Sequence, residues 1–249
     1  MDEARNIRFT LEYDGTLFHG WQIQKGLRTV QGVFEAAIGQ LLGGPHRVVA
    51  ASRTDAGAHA RGQVVSMHTR SRLSARQMVQ ALNSLLPEDI VVKDASDTIQ
   101  DFHARWSATS RRYSYRIVVG PSALWRANSW SVRHALKLSA MEETCGGILG
   151  VGDFRAFSAA PEPHDSTLCT VIECGWAKWS EGYLFEIEAD RFVRHMVRTL
   201  AGTMAKVGQD RLSVVEFLTA FHDRIRPRLA FTAPARGLCL ERVRYAEVQ

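Results

Sequence analysis

The residues best suited to chemistry lie in a loop between two short apolar runs. Residues 51–60 read Ala-Ser-Arg-Thr-Asp-Ala-Gly-Ala-His-Ala, with Val48–Ala51 leading into the loop and Gln63–Met67 following it. Both runs have the composition of buried strands, and the Asp-x-Gly sequence supplies turn-forming residues between them. Asp55 is therefore predicted to sit at the tip of a strand connection, where a catalytic carboxylate can be displayed.

Asp55 has two interpretations. Arg53 can fold back in a tight loop and pair with the carboxylate, and an opposite charge nearby favours the ionised form. An ionised, oriented carboxylate can act as a nucleophile or a general base. The alternative is that Asp55 only caps its own turn. His59, in the same loop, is expected to anchor the loop by a hydrogen bond rather than to transfer protons.

Two tyrosines on a predicted strand over residues 113–119 form a second candidate site. Tyr113 and Tyr115 are two residues apart and therefore face the same side of the strand. Strand tyrosines are usually core residues with the hydroxyl at the rim. The functional alternative is an aromatic platform on which a nucleic-acid base stacks. We interpret Tyr115 as a core residue.

Positive charge is unevenly distributed along the chain. The net charge is +5, but residues 56–87, 102–141 and 191–209 contain no Asp or Glu. Long basic stretches of this kind indicate a polyanionic partner. The arginines that we predict to contact this partner are Arg61, Arg111, Arg112, Arg191 and Arg194.

A basic stripe is predicted on a helix over Val193–Val207. Arg191, Arg194 and Arg198 recur at the i, i+3 and i+7 spacing of one helix face. Such a stripe usually faces solvent. Because no acidic residue in this part of the sequence balances it, we favour a face that contacts phosphates.

Composition limits the remaining classes. A chain of 249 residues with 45% apolar residues can bury a sizeable core. No apolar run is long enough to span a membrane and no signal peptide is recognisable, so the cytoplasm is the expected location. The four cysteines lack metal-ligand spacing, which predicts buried, reduced thiols and no metal. The sequence motifs of serine hydrolases, P-loop enzymes and dinucleotide-binding enzymes are also missing, and we expect no cofactor.

The order of predicted elements indicates an α+β protein. Alternating apolar residues predict a strand over Ile7–Tyr13, and Thr29 and Ser74 are placed to cap helices that end near Leu42 and Leu86. The second half repeats the pattern of strands and helices and ends with a strand over Leu238–Tyr245. We predict two units, 1–104 and 105–249, that share a mostly antiparallel sheet with a central basic cleft.

Five blocks of this sequence, taken together, resemble the tRNA pseudouridine synthase A (TruA) family. They run in order along nearly the whole chain, over residues 11–24, 51–60, 101–115, 192–198 and 234–240. The loop sequence differs from the family's usual Gly-Arg-Thr-Asp-Ala-Gly-Val-His only at Ser52 and Ala58. Neither difference affects Arg53 or Asp55.

The resemblance implies a fold of two pseudo-symmetric ferredoxin-like units with the active site in a central cleft. It implies that Asp55 is the catalytic residue, that Tyr113 is the active-site tyrosine, and that Arg53, Arg198 and Leu238 bind substrate. The implied reaction converts uridines 38, 39 and 40 of the tRNA anticodon stem-loop to pseudouridine. The implied assembly is a homodimer in which one tRNA contacts both subunits.

Two other function classes stay open at this point. An RNA-binding module without catalysis would use the basic stretches but would have no use for a paired Arg and Asp in the loop. An aspartate-dependent N-glycosidase would release free base and would ordinarily need a second carboxylate. No second acidic residue lies near Asp55 in the sequence, which favours the isomerase.

Overall fold

A computed structural model describes residues 4–159 and 166–246. The chain forms two compact units, the first comprising residues 1–109 with 240–249 and the second residues 110–239. Each unit combines mostly antiparallel strands with α-helices, and the predicted α+β class is therefore confirmed. The expected division into 1–104 and 105–249 differs from these units, because the C-terminal residues belong with the first.

The first unit begins with a three-stranded arrangement around the N-terminal strand. Its elements are β1 (Arg5–Tyr13), α1 (Val30–Leu42), β2 (Val49–Ala50), β3 (His59–Thr69), α2 (Ala75–Leu85) and β4 (Ile90–Thr98). Strand β1 pairs antiparallel with β3 on one side and β4 on the other, and β2 adds a short pairing to β3. Ile7, Phe9 and Leu11 on β1 are buried, as the predicted alternation requires.

Both helices of the first unit begin at the predicted caps. The Thr29 hydroxyl accepts a hydrogen bond from the Gly32 amide, and Phe34 and Ile38 form part of the buried face of α1. Ser74 and Gln77 form a capping box at the start of α2. A cap that satisfies free amide groups typically stabilises a helix by about 1 kcal/mol, and here it fixes where each helix begins.

The second unit contains five strands and three α-helices within its described part. They are β5 (Ala108–Val119), β6 (Trp130–Val132), α3 (Leu138–Gly146), β7 (Gly150–Asp153), β8 (Leu168–Trp179), β9 (Gly182–Ala189), α4 (Met196–Gly208) and α5 (Val214–Asp223). Strands β5, β9, β8 and β7 pair antiparallel in that order, whereas β6 is parallel to β5. Strand β7 was not predicted, because Gly-Val-Gly-Asp has too few apolar residues to suggest a strand.

The chain ends with β10 (Leu238–Tyr245), most of which belongs to the first unit. The Tyr245 hydroxyl donates to the Ala104 carbonyl at 2.8 Å, and the Tyr245 ring lies 4.9 Å from that of Phe102. On the same strand, Glu241 lies 3.9 Å from Arg61. These contacts explain why the C-terminal residues group with the first unit.

Two further expectations concern cysteines and membranes. None of the four cysteines forms a disulfide; Cys145, Cys169 and Cys239 are buried, as predicted, and Cys174 is half-buried. Burial raises the pKa of the Cys169 thiol to about 11. Across residues 4–159 and 166–246, no helix is both long enough and apolar enough to cross a membrane.

Candidate active site

The aspartate loop, residues 51–58, connects β2 to β3 and carries Asp55 half-exposed to solvent. The Asp55 carbonyl accepts a hydrogen bond from the Ala58 amide at 3.1 Å, and Gly57 has a φ of 79°. This is a β-turn with glycine at the position that requires a positive φ. The predicted turn therefore forms through the main chain, with Asp55 as its first residue.

A buried glutamine holds the start of the aspartate loop. Gln63, on β3, is fully buried; its amide nitrogen donates to the Ser52 carbonyl at 2.6 Å, and its amide oxygen accepts from the Ser52 amide at 3.2 Å. One side chain thus makes both main-chain hydrogen bonds that a neighbouring strand would make. The sequence gives little sign of this role, because Gln63 appears there only as a polar residue at the start of an apolar run.

The residue just before Asp55 is also fixed. Thr54 is buried, and its hydroxyl lies 2.7 Å from the hydroxyl of Tyr13, the last residue of β1. The Gln63 amide nitrogen donates to the same Tyr13 hydroxyl at 3.4 Å. Because buried polar groups are costly unless paired, this network favours one position of the loop.

A second segment also holds the aspartate loop by hydrogen bonds to its main chain. This N-terminal strap, residues Asp14–Arg28, follows β1 directly. The Phe18 carbonyl accepts from the Gly57 amide at 3.1 Å, and the Trp21 amide donates to the Thr54 carbonyl at 3.1 Å. The strap therefore contacts the main chain on both sides of Asp55.

Two glycines allow the strap to approach the loop this closely. A Cβ at Gly20, whose φ is +82°, would lie 2.9 Å from the Thr54 carbonyl oxygen. A Cβ at Gly15 would overlap the carbonyl oxygen of Ala58. The structure thus gives a steric reason for the glycines of the Asp14-Gly15 and Gly20-Trp21 pairs.

His59 anchors the loop, as predicted. The Gly15 amide donates to His59 Nδ1 at 3.1 Å, and a carboxylate oxygen of Asp14 lies 3.1 Å from the same nitrogen. Partial burial of Asp14 opposes ionisation, but hydrogen bonds from Thr16 and the nearby His59 outweigh it and lower the pKa of the Asp14 carboxyl.

Arg53, predicted to pair with Asp55, and Arg61, predicted to contact RNA, both lie at the surface. Arg53 is exposed, and no hydrogen bond or ion pair within the described residues joins it to Asp55. The expected pairing of Arg53 with Asp55 is therefore not seen. Arg61 is also exposed, and its closest acidic partner in the described chain is Glu241 at 3.9 Å.

The two strand tyrosines of the second unit have different environments. Tyr115 is fully buried and its hydroxyl donates to the Pro234 carbonyl at 2.7 Å, which confirms its core role. Burial raises the pKa of Tyr115 far above its usual range. Tyr113 is 5% exposed, and its ring meets the Phe192 ring edge-on at 5.0 Å. Tyr113 is thus packed at the start of the segment that leads into α4.

Arg198 and Leu238 are connected by one segment of the second unit. Arg198 Nε donates to the Ala233 carbonyl at 2.8 Å, while the Arg198 carbonyl accepts from the Ala233 amide at 3.1 Å. The chain then passes through Pro234, whose carbonyl accepts the hydrogen bond from the Tyr115 hydroxyl, and reaches the buried Leu238. The structure therefore brings Arg198, Tyr115 and Leu238 together around residues 233–238. Arg236, in the same segment, donates to the Ser129 carbonyl at 3.0 Å and was not singled out from sequence.

The predicted arginine stripe is wrong in its geometry. Helix α4 begins at Met196, because His195 has a left-handed φ of 62° and interrupts the helix. Arg191 and Arg194 therefore precede the helix, and only Arg198 lies on it. Both preceding arginines are exposed, and within the described residues neither guanidinium forms an ion pair.

Two other predicted RNA contacts have structural partners instead. Arg111 is 8% exposed and donates to the Asp190 carbonyl at 2.8 Å. Arg112 lies 2.5 Å from Glu173, 3.3 Å from Glu186 and 3.8 Å from Glu188, all on the neighbouring strands β8 and β9. The structure thus does not support an open phosphate-binding role for either arginine.

Comparison with known proteins identifies the family. A family model described as tRNA pseudouridine synthase matches residues 10–107 and 147–246. Proteins named tRNA pseudouridine synthase A are similar over nearly the whole chain: 39% identity for that of Acetivibrio thermocellus, covering 97% of this chain and 100% of the relative, and 40% for those of Moorella thermoacetica and Chlorobium phaeovibrioides, covering 96% and 99%. The chain belongs to the tRNA pseudouridine synthase family. This confirms the resemblance, and the family is one of isomerases.

The family match covers the aspartate loop, the strap and residues 191–198, but not β5. Tyr113 lies in the stretch between the two matched ranges. Within residues 4–159 and 166–246, no group of three or more His, Cys, Asp or Glu side chains is arranged to hold a metal ion.

Proposed function

We propose that this protein isomerises uridine to pseudouridine at positions 38, 39 and 40 of the tRNA anticodon stem-loop, with Asp55 as the catalytic carboxylate. The observation that carries this proposal is the aspartate loop of a tRNA pseudouridine synthase family member, held on both sides of Asp55. A catalytic group must be kept close to its productive geometry, and effective positioning can supply about 7–11 kcal/mol of the reaction barrier.

The reaction needs no net oxidation or hydrolysis. The bond between ribose C1′ and uracil N1 breaks, the base turns, and C1′ bonds to C5; the C5 proton is lost and N1 gains one. Asp55 can attack C1′ or C6 as a nucleophile, or remove the 2′ proton as a base. Each of these roles requires the ionised carboxylate, and none requires an added cofactor.

The target base must leave the RNA helix before it can react. Flipping a base out of a duplex costs a few kcal/mol, and stacking on an aromatic ring can return about 1–3 kcal/mol. We assign this role to Tyr113, with Arg53, Arg198 and Leu238 as further substrate contacts. Arg61, Arg191 and Arg194 are exposed and suit phosphate contacts.

The test is Asp55→Asn, which is nearly isosteric and removes the charge. We expect no pseudouridine formation, with tRNA affinity within a few fold of wild type, because phosphate contacts dominate binding. Pseudouridine is measured as a mass-neutral uridine change in tRNA incubated with the protein, and Asp101→Asn, an exposed carboxylate of the same unit, is the control.

The assay also separates the alternatives. Free uracil would indicate an N-glycosidase, and tRNA binding without any product would indicate a binding module. Turnover by Asp55→Asn above background would contradict the assignment of Asp55.

We further propose that the protein works in the cytoplasm as a homodimer in which one tRNA contacts both subunits. Sedimentation velocity of the protein with and without tRNA measures this assembly. We expect a dimer in both cases and one tRNA bound across it; a monomer that retains full activity would contradict the proposal.

A further inference from the structure

The N-terminal strap is closed at its base by an ion pair. Arg28, the last residue of the strap, forms two hydrogen bonds to the carboxylate of Asp89, at 2.8 and 2.9 Å. Asp89 immediately precedes β4, and its main-chain carbonyl also accepts a hydrogen bond of 3.0 Å from the Asp14 amide. Both ends of the strap are therefore attached to one residue, which lies at the edge of β4. Two parallel N–H···O bonds fix orientation as well as distance.

Arg28 also contacts the residue that holds the aspartate loop. Its guanidinium carbon lies 4.0 Å from the centroid of the Phe18 ring, and Phe18 is 3% exposed. The Phe18 carbonyl accepts the Gly57 amide, two residues after Asp55. A chain of contacts thus runs from Asp89 through Arg28 and Phe18 to the catalytic loop.

The strap is braced internally across the same point. The His19 amide donates to the Arg28 carbonyl at 2.9 Å, and the Val30 amide donates to the Gly20 carbonyl at 3.2 Å. Gly20 is the residue that packs directly against Thr54 and Asp55. A displacement of Arg28 would therefore reach the loop by a second route.

We propose that the Arg28–Asp89 pair is a positioning pair that holds the strap, and through it Asp55, in the geometry needed for catalysis. This inference rests on the proposed function. Neither residue touches the reacting atoms; the pair limits where the aspartate loop can lie. A misplacement of about 1 Å in an active site can reduce the rate by about 10²-fold.

The experiment compares Arg28→Ala, Asp89→Asn and the double variant Arg28→Ala/Asp89→Asn. Single-turnover pseudouridine formation at saturating tRNA should fall at least about 10-fold in each. The double variant should be no slower than the singles, because residues that act as one unit are not additive. The dissociation constant for tRNA should stay within about threefold of the wild-type value. Arg28→Lys, which keeps the charge, should recover part of the rate.

A local readout accompanies the kinetics. Hydrogen–deuterium exchange of the Gly57 and Trp21 amides should be faster in Arg28→Ala and Asp89→Asn, because both amides form the contacts between strap and loop. The matched control is Asp97→Asn, which breaks the ion pair of Asp97 with Arg5 at the other end of β4. This control should change neither the exchange of these amides nor the rate.

Three results would overturn the inference. One is an unchanged rate in Arg28→Ala. Another is faster exchange without a slower rate. The third is weaker tRNA binding in Arg28→Ala but tighter binding in Asp89→Asn, as expected if Arg28 contacts a phosphate. A wild-type protein that forms no pseudouridine would instead contradict the proposed function, whereas wild-type activity that survives these substitutions contradicts only the positioning role.

Discussion

Asp55 is held by residues that themselves have no chemistry to perform. Gln63 fixes Ser52, Tyr13 fixes Thr54, and the strap fixes Gly57, so that the main chain is constrained before and after the carboxylate. Preorganisation of this kind matters because a rigid site does not need to reorganise when the transition state forms. The sequence alone indicated Asp55 as a candidate site residue. It did not indicate that Gln63 holds the loop, because the hydrogen bonds of a buried amide depend on which backbone lies opposite.

Tyr113 allows ring and hydroxyl to be separated by mutation. Tyr113→Phe keeps the edge-on contact with Phe192 and should retain tRNA binding. If the hydroxyl also moves a proton during the reaction, turnover should fall by about 10²-fold or more; if the ring is only a platform, Phe should be nearly as active as Tyr. Pre-steady-state rates for Tyr113→Phe and Tyr113→Ala distinguish these cases. Wild-type behaviour of Tyr113→Ala would mean that the residue only packs at the rim of the core.

The elements themselves were largely predictable, and the exceptions have physical causes. The limits of α1, α2 and β10 follow from caps, glycines and alternating apolar residues, all of which can be identified in the sequence. The start of α4 does not, because the apolar spacing of the sequence continues across His195, whose backbone is left-handed in the structure. That one backbone conformation separates Arg191 and Arg194 from the helix.

Charge was harder to predict than secondary structure. Residues 102–141 contain no acidic residue, yet Arg112 is surrounded by three glutamates that arrive on β8 and β9. An acid-free stretch along the chain is therefore not an acid-free surface. Arg53, Arg191 and Arg194, by contrast, lie outside the helices and strands and are exposed.

The exposed arginines and the ion-paired Arg112 should respond differently to substitution. Arg191→Ala and Arg194→Ala should each weaken tRNA binding and reduce the slope of log affinity against log salt by about one unit, if each arginine contacts a phosphate. Arg112→Ala should instead lower the unfolding free energy, because it leaves carboxylates close together, and should leave the salt slope unchanged. Binding measured over a range of salt concentrations, with urea unfolding of each variant, checks both parts. A reduced slope in Arg112→Ala would restore its predicted RNA contact.

Acid should destabilise the fold of this protein through specific carboxylates. Partial burial opposes ionisation of Asp153, but hydrogen bonds from Thr167 and Arg155 outweigh it and lower the pKa of Asp153, as happens for Asp14. The ordinary pKa of an Asp carboxyl is 3.8. A carboxyl whose pKa is lower in the folded than in the unfolded protein stabilises the fold at pH values above that ordinary pKa. That stabilisation is lost as the pH falls through the folded pKa.

The measurement is urea unfolding at a series of pH values between neutrality and pH 3. We expect the unfolding free energy of wild type to fall below about pH 4, and Asp14→Asn and Asp153→Asn to show a smaller fall. Asp101→Asn, at an exposed position, is the control. The same pH dependence in all four proteins would show that other groups dominate.

The return of residues 240–245 to the first unit has a consequence for biosynthesis. Those residues contact Ala104, Phe102 and Arg61, but the ribosome makes them only after the 130 residues of 110–239. At about 5–20 residues per second, the nascent first unit waits about 7–26 s without its final strand. During that interval the strap, which ends at residue 28, can already form its hydrogen bonds to the aspartate loop. The aspartate loop therefore acquires its local supports early in translation, whereas the unit that carries it is completed last.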